Sequence, residues 1–468
     1  MAGKIRQMID TIMDRKAKDN PMMERVIKAK MILKGINPAK YTDQSEDNLA
    51  VIAQLESMMD SLGAAAGSSP APTAPAAPVD KAAGGETGRP APSRAPKSAG
   101  AKIKAAFSTN AFTPACIGEI RNQLADVEPA LVIFFSSTKH APAVVSRQMQ
   151  AAFPKAQVFG CSTAGEIVSG QMLTDSIVAM GFSAEAAGDC KIEIVENPGQ
   201  RNSLEKACQG FQSHFGEPVA AMDPGQYVGI VLIDGLAGAE EGFMETLGDL
   251  TDVHFIGGSA GDDLKFAGTH VYAQGKEYSG AAVLALLKPG IPFSFIKTQS
   301  FQFLGKTLKV TKADETKREV LQFNDMPAVQ AYAEAIGVSV DEVSKNFMRN
   351  PVGLVIEGEP YVRSPQQVKE GSMLFYCGVK EGMELSLLES ADIISDTRNA
   401  IAQAEKDLGG LSAIIDFDCI LRTLDLRQQN LSGDYGKLFE KVPTVGFSTY
   451  GEQYIGHINQ TATMLAFG

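Results

Sequence analysis

The sequence is poor in three things that often declare a protein's surroundings: paired cysteines, an excess of positive charge and long apolar runs. Its six cysteines, at 116, 161, 190, 208, 377 and 419, form no CxxC pair and no regular spacing. That excludes a zinc ribbon or a disulfide framework and fits a reducing cytoplasm. Only five histidines occur, at 140, 214, 254, 270 and 457, and no CxxCH haem-attachment motif. The formal net charge is −12, so the positive field that nucleic acid or an anionic membrane surface needs is missing. No apolar run approaches the span of a membrane helix, and residues 1–18 alternate charges with single aliphatic residues instead of forming a signal-peptide core. The expectation is a cytoplasmic protein with no nucleic-acid partner and no membrane insertion.

What is present is ordinary globular composition, 44% apolar and 21% charged over 468 residues, enough for several domains. Residues 63–100 are almost entirely Ala, Pro, Gly and Ser, and read as a disordered linker. Before it, 1–62 reads as a small helical module. Ile5, Met8, Ile9, Ile12 and Met13 share one helical face, a second segment is capped by Asn20-Pro21 and stops at Gly35, and a third begins at Ser45. The third has Glu46 and Asp47 in its first turn and Leu49, Ile52, Leu55, Met58, Met59 and Leu62 on one face. The methionine-rich stripes suit either a self-contained three-helix core or burial against a partner, including a homo-oligomer formed through these helices. After the linker, apolar strands alternate with helical stretches, which predicts an α/β fold of repeated strand-helix-strand units in mixed sheets flanked by helices.

Three distant segments end a predicted strand alike. Phe159-Gly160-Cys161-Ser162-Thr163-Ala164-Gly165-Glu166 recurs as Val445-Gly446-Phe447-Ser448-Thr449-Tyr450-Gly451-Glu452, with a looser copy at Ile256-Gly257-Gly258-Ser259-Ala260-Gly261-Asp262-Asp263. An apolar run lies about 25 to 30 residues before each, leaving room for one crossover helix. The first and third copies align without gaps, Gly170 on Gly456 and 176–182 on 462–468. Small and hydroxyl residues after a buried strand leave N–H and O–H groups pointing off the strand end, so the three turns are expected to line one ligand cleft.

Within that cleft Ser162, Thr163, Ser259, Ser448 and Thr449 are candidate donors to a carboxylate or carbonyl. Glu166, Glu452, Asp262 and Asp263 are candidate acceptors from an ammonium group, or structural caps. Arg422 is either a carboxylate clamp or the internal partner of Asp416 and Asp418. Cys161 and Cys419 sit at strand ends as buried small hydrophobes or, as a distant alternative, as the thiol of a thiol or hydroxyl enzyme. His457, with Asn459 nearby, is a ligand contact, a structural histidine or an axial haem ligand. No catalytic residue and no metal site is expected otherwise.

Taken in order, 159–166, His254 to Asp263, Asp416-Phe-Asp-Cys-Ile-Leu-Arg422, 446–452 and Gly456-His-Ile-Asn-Gln-Thr461 resemble the signature blocks of the FIST sensory-domain family. The resemblance covers nearly everything after the linker and divides it into a FIST N-terminal domain, 101–305, and a FIST C-terminal domain, 306–468. It implies a cytoplasmic, non-enzymatic input module of bacterial signal transduction that binds a small molecule, an amino acid being one ligand class. Some relatives are haem-containing nitric-oxide sensors that control a histidine kinase. Residues 1–468 carry no kinase, receptor or cyclase block, so output is expected through a separate partner protein, with the helical module as the contact.

Overall fold

The computed structural model describes residues 3–17, 24, 27–28, 30–32, 34, 36–63, 100–356 and 358–468. The cap at Asn20-Pro21, the stop at Gly35 and linker residues 64–99 lie outside the described residues. In the N-terminal module the helices Lys4–Ala17 and Leu49–Gly63 enclose a small core of Ile5, Ile9, Ile12, Ile27, Met31, Ile36 and Leu55. The methionines Met8, Met31 and Met58 are turned into it. Asp47 does not open the later helix as the sequence suggested. Its carboxylate accepts from the backbone N–H groups of Lys4 and Ile5, at 2.9 and 3.3 Å, and so holds the start of the first one.

The α/β part is three copies of one unit: strand, helix, strand, helix, strand, short hairpin, strand. The first copy runs from the strand Ile103–Ser108 through Leu131–Ser137 and Gln157–Thr163 to Ile177–Phe182. Asp189–Glu196, Val228–Ile233, Phe255–Ser259 and Ala281–Lys288 form the second. The third is Phe293–Thr298, Ala413–Cys419, Thr444–Thr449 and Ala462–Phe467. In each, the second and third strands are parallel across a helix, and the last runs antiparallel between the first and second. Central strands are buried end to end, which is why they read as unbroken apolar runs.

The hairpins do not stay with their own sheets. That of the first copy, Glu166–Val168 with Gln171–Leu173, joins the third copy's sheet, pairing Glu166 with Phe447. The second copy's, Val271–Ala273 with Lys276–Tyr278, joins the first sheet, Val271 opposite Cys161. The third copy's, Glu452–Tyr454 with Gly456–Ile458, joins the second sheet, Glu452 opposite Gly258. The exchange closes a ring of three six-stranded sheets. Within it Phe135 of the first copy packs on Phe447 and Phe417 of the third, with ring centroids 4.6 and 6.3 Å apart.

The gapless alignment of the first and third copies fails at this hairpin. Glu166 lies opposite Leu173 but Glu452 lies opposite Ile458, so the third hairpin is one residue shorter and Ser176 corresponds to Thr461. Between the first strand and first helix of the third copy stands an inserted eight-stranded sheet that carries Phe301–Asp314, Glu359–Arg363 and Glu384–Ser390. Among the described residues no helix is long and apolar enough to cross a membrane.

Candidate functional site

The three turns meet, but as a closed junction in which each spends its donors on another. Ser162 Oγ donates to the Gly261 carbonyl at 2.7 Å and accepts from His270 N–H at 3.0 Å, tying the first turn to the second. Ser448 N–H donates to the Gly165 carbonyl at 2.8 Å and its own carbonyl accepts from Ala164 N–H at 3.2 Å, tying the third turn to the first. Thr449 Oγ1 donates to the Ser259 carbonyl at 2.8 Å and Ser259 N–H to the Gly451 carbonyl at 2.9 Å, which completes the circuit. All three serines are buried.

The acids are answered internally. Glu166 accepts from Ser176 N–H at 3.1 Å, Ser176 Oγ at 2.6 Å and the Thr163 hydroxyl, pinning the strand that returns after the hairpin. Glu452 does the same to Thr461, at 3.1 and 2.7 Å. In the second copy, where Val271 stands at the equivalent position, Asp234 takes over by accepting from Gly280 N–H and the Thr269 hydroxyl. Burial raises Glu166 to about 7 and drives Glu452 well above the carboxylate range. Asp262 accepts from the N–H groups of Phe266, Ala267 and Gly268 and from the Tyr450 hydroxyl, shaping its own loop. Asp263 accepts from Thr138 Oγ1 at 2.7 Å and Ser137 Oγ at 3.2 Å.

Of the two roles open to Arg422, the structure has the internal one. Nε donates to Asp418 at 2.8 Å, Nη2 to Thr397 at 3.2 Å, and the guanidinium lies over the Tyr435 ring. Burial raises both Asp416 and Asp418, Asp416 the further because Asp418 adds to it, and the guanidinium bonded to Asp418 makes that carboxylate the counter-charge. Cys161 and Cys419 are free and buried, and desolvation pushes both thiols up, so neither is a ready thiolate. Asn459 is buried with its side-chain oxygen unpartnered. Ser162, Thr163, Glu166, Ser259, Asp262, Asp263, Ser448, Thr449, Glu452 and Arg422 are thus drawn into the ring's own bonding rather than into an open cleft.

His457 is the exception. It lines a pocket of about 290 Å³, where the third hairpin's tip (Ile455 to His457) meets the helix Glu240–Leu250, the inserted sheet and the N-terminal module. The helix contributes Glu241, Gly242, Met244 and Glu245, the inserted sheet Arg318, Arg363 and Lys380, and the module Lys30 and Lys34. Gln453 Nε2 donates to His457 Nδ1 at 3.1 Å, which puts the proton of the neutral ring on Nε2, and burial lowers the histidine's pKa. Arg318 bonds Glu240 and Glu241 at 3.1 and 2.6 Å, and Gly378 N–H donates to Glu241 at 2.7 Å. Lys380 pairs with Glu245 at 2.7 Å, Lys34 with Asp249 at 3.0 Å and Lys30 with Asp252 at 3.2 Å.

Sequence reasoning missed every member of this pocket except His457. Arg318 and Arg363, two arginines in otherwise strand-like segments, were the available signal. A larger open groove of about 920 Å³ lies between the helix Ile393–Leu408 and residues 429–442, but none of its polar lining side chains is buried. Among the described residues no group of three His, Cys, Asp or Glu side chains is arranged to hold a metal ion.

Comparison with known proteins gives two family matches, to the FIST N domain over residues 130–326 and to the FIST C domain over 328–455. An uncharacterized protein of Methanocaldococcus jannaschii is 21% identical over 296 residues, 59% of this chain, and the match spans 57% of that relative's length. A solved structure of PurLQS from Thermotoga maritima aligns over 79% of this chain and 72% of that one, at 12% identity and a TM-score of 0.17, too low to inform the fold.

Proposed function

The chain belongs to the FIST family, whose domains are sensory domains of signal transduction, and on that premise we propose that its small ligand is an amino acid bound in the pocket beside His457. The observation that carries this is the pocket's position, at the meeting of two repeats, the inserted sheet and the N-terminal module. An occupant there touches elements that must shift together or not at all, which is what a sensor requires. The pocket's size and mixed polar lining suit a compact zwitterion. The signal then passes to a separate partner, a histidine kinase being the class the family resemblance implies. A pocket of about 290 Å³ with a largely charged lining favours a small zwitterion over haem, a large and mostly apolar macrocycle. The raised thiol pKa values support a non-catalytic role.

Thermal denaturation of the full chain against the free amino acids tests the reading. A ligand at 100 times its Kd is expected to stabilise by about 2.7 kcal/mol. Stabilisation should vanish in Gly242→Phe, because a Cβ at Gly242 meets open space on the pocket wall and a ring there fills the volume. No stabilisation by any amino acid, or stabilisation that survives Gly242→Phe, overturns it.

A further inference from the structure

Resting on that reading of the pocket, we infer that Arg363 is the anchor for the ligand's carboxylate. Arg363 ends the strand Glu359–Arg363, is 4% exposed and lines the pocket. Its Nη1 donates to the carbonyl oxygens of His457 at 3.0 Å and Val362 at 3.4 Å, and its Nε has no partner. Among the described residues no carboxylate lies within ion-pair distance of it, whereas the other cations around the pocket, Arg318, Lys30, Lys34 and Lys380, each hold one. Arg422, the other arginine buried this deeply among the described residues, also holds one in Asp418. Cys377 beside Arg363 does not supply the charge, because burial raises its pKa and keeps the thiol protonated.

A guanidinium taken out of water without an anion is strongly disfavoured, and one placed on a pocket wall is a cation waiting for its partner. The planar fork matches a carboxylate with two parallel N–H donors, so the ligand's acid group sits against Arg363. Arg318, Lys380, Lys34 and Lys30 are already matched by Glu241, Glu245, Asp249 and Asp252, so a second ligand carboxylate would have to displace one of these pairs, which favours a monocarboxylate over a dicarboxylate.

The test is calorimetric titration of the full chain with free L-amino acids, each beside its C-terminal amide. The acids are expected to bind, the amides about 100-fold more weakly, and Arg363→Gln to lose about 100-fold for the acids while Arg363→Lys keeps part. Ligand-free Arg363→Gln should melt at or above the wild type, since it removes an unpaired buried charge. A marked fall in that melting temperature would make the arginine structural and overturn the anchor. So would equal binding of acids and amides. Acid binding lost in Gly242→Phe but kept in Arg363→Gln overturns the anchor alone. No binding of any acid to the wild type overturns the anchor and the pocket reading together.

Discussion

Burial decides the charge state of Glu166, and that makes it a pH-sensitive pin. Its pKa rises from 4.5 to about 7 because desolvation outweighs the hydrogen bonds from Ser176 and Thr163. Its contribution to stability is therefore fully present below pH 4.5 and lost as pH rises through about 7. Two to three pKa units correspond to a penalty on the order of 3 kcal/mol above that range. Glu166→Gln should flatten this pH dependence in denaturant titrations between pH 4 and 8, and an unchanged slope would argue against it. Arg422 is the opposite case, a buried cation whose anion is in place. Arg422→Met strands Asp418 and should cost about 3–5 kcal/mol in urea unfolding. The sequence pointed to the recurring serines and acids, but hydrogen-bond capacity does not say who the partner is. Arg363 carried no motif at all, and only its burial without a carboxylate gives it a meaning.

At the scale of the element, one glycine recurs in all three copies for a single steric reason. A Cβ at Gly160, Gly257 or Gly446 would sit 1.8, 1.8 or 2.3 Å from the carbonyl oxygen of Phe134, Val231 or Asp416 on the neighbouring parallel strand. Backbone cannot yield as a side-chain tip can, so Gly446→Ala is expected to destabilise by about 3 kcal/mol or more. Gly118→Ala, on a helix where the added methyl meets nothing, should instead stabilise by about 0.5–1 kcal/mol. Thermal melts of both variants check the pair. Strands, crossover helices and polar turns were legible because periodicity and turn chemistry are local. The hairpin exchange was not, since alternation marks a strand without naming the strand it pairs with. The one-residue shortening of the third hairpin was hidden for the same reason.

For the whole molecule, the N-terminal module is docked on the body through its lysines. Lys30 Nζ donates to the Gly248 and Thr251 carbonyls, at 2.9 and 3.4 Å, at the C-terminal end of the helix Glu240–Leu250, and Lys34 grips Asp249 in the same turn. Because both lysines line the pocket, removing residues 1–62 should weaken ligand affinity measurably in calorimetric titration. Lys34→Glu should speed amide hydrogen exchange across residues 27–36, and adding Asp249→Lys should restore protection. Equal exchange in all three proteins would mean the lysine does not hold the module.

The handing of hairpins from copy to copy also constrains how the chain is made. The first copy's sheet waits for residues 271–278 and the second's for 452–458, each of which belongs to the following copy. Until then the strands Gln157–Thr163 and Phe255–Ser259 each present an unpaired apolar edge to the cell. A nascent chain of this design cannot finish its first sheets in the order it is translated, so its exposure to aggregation lasts until the third copy's hairpin has been made.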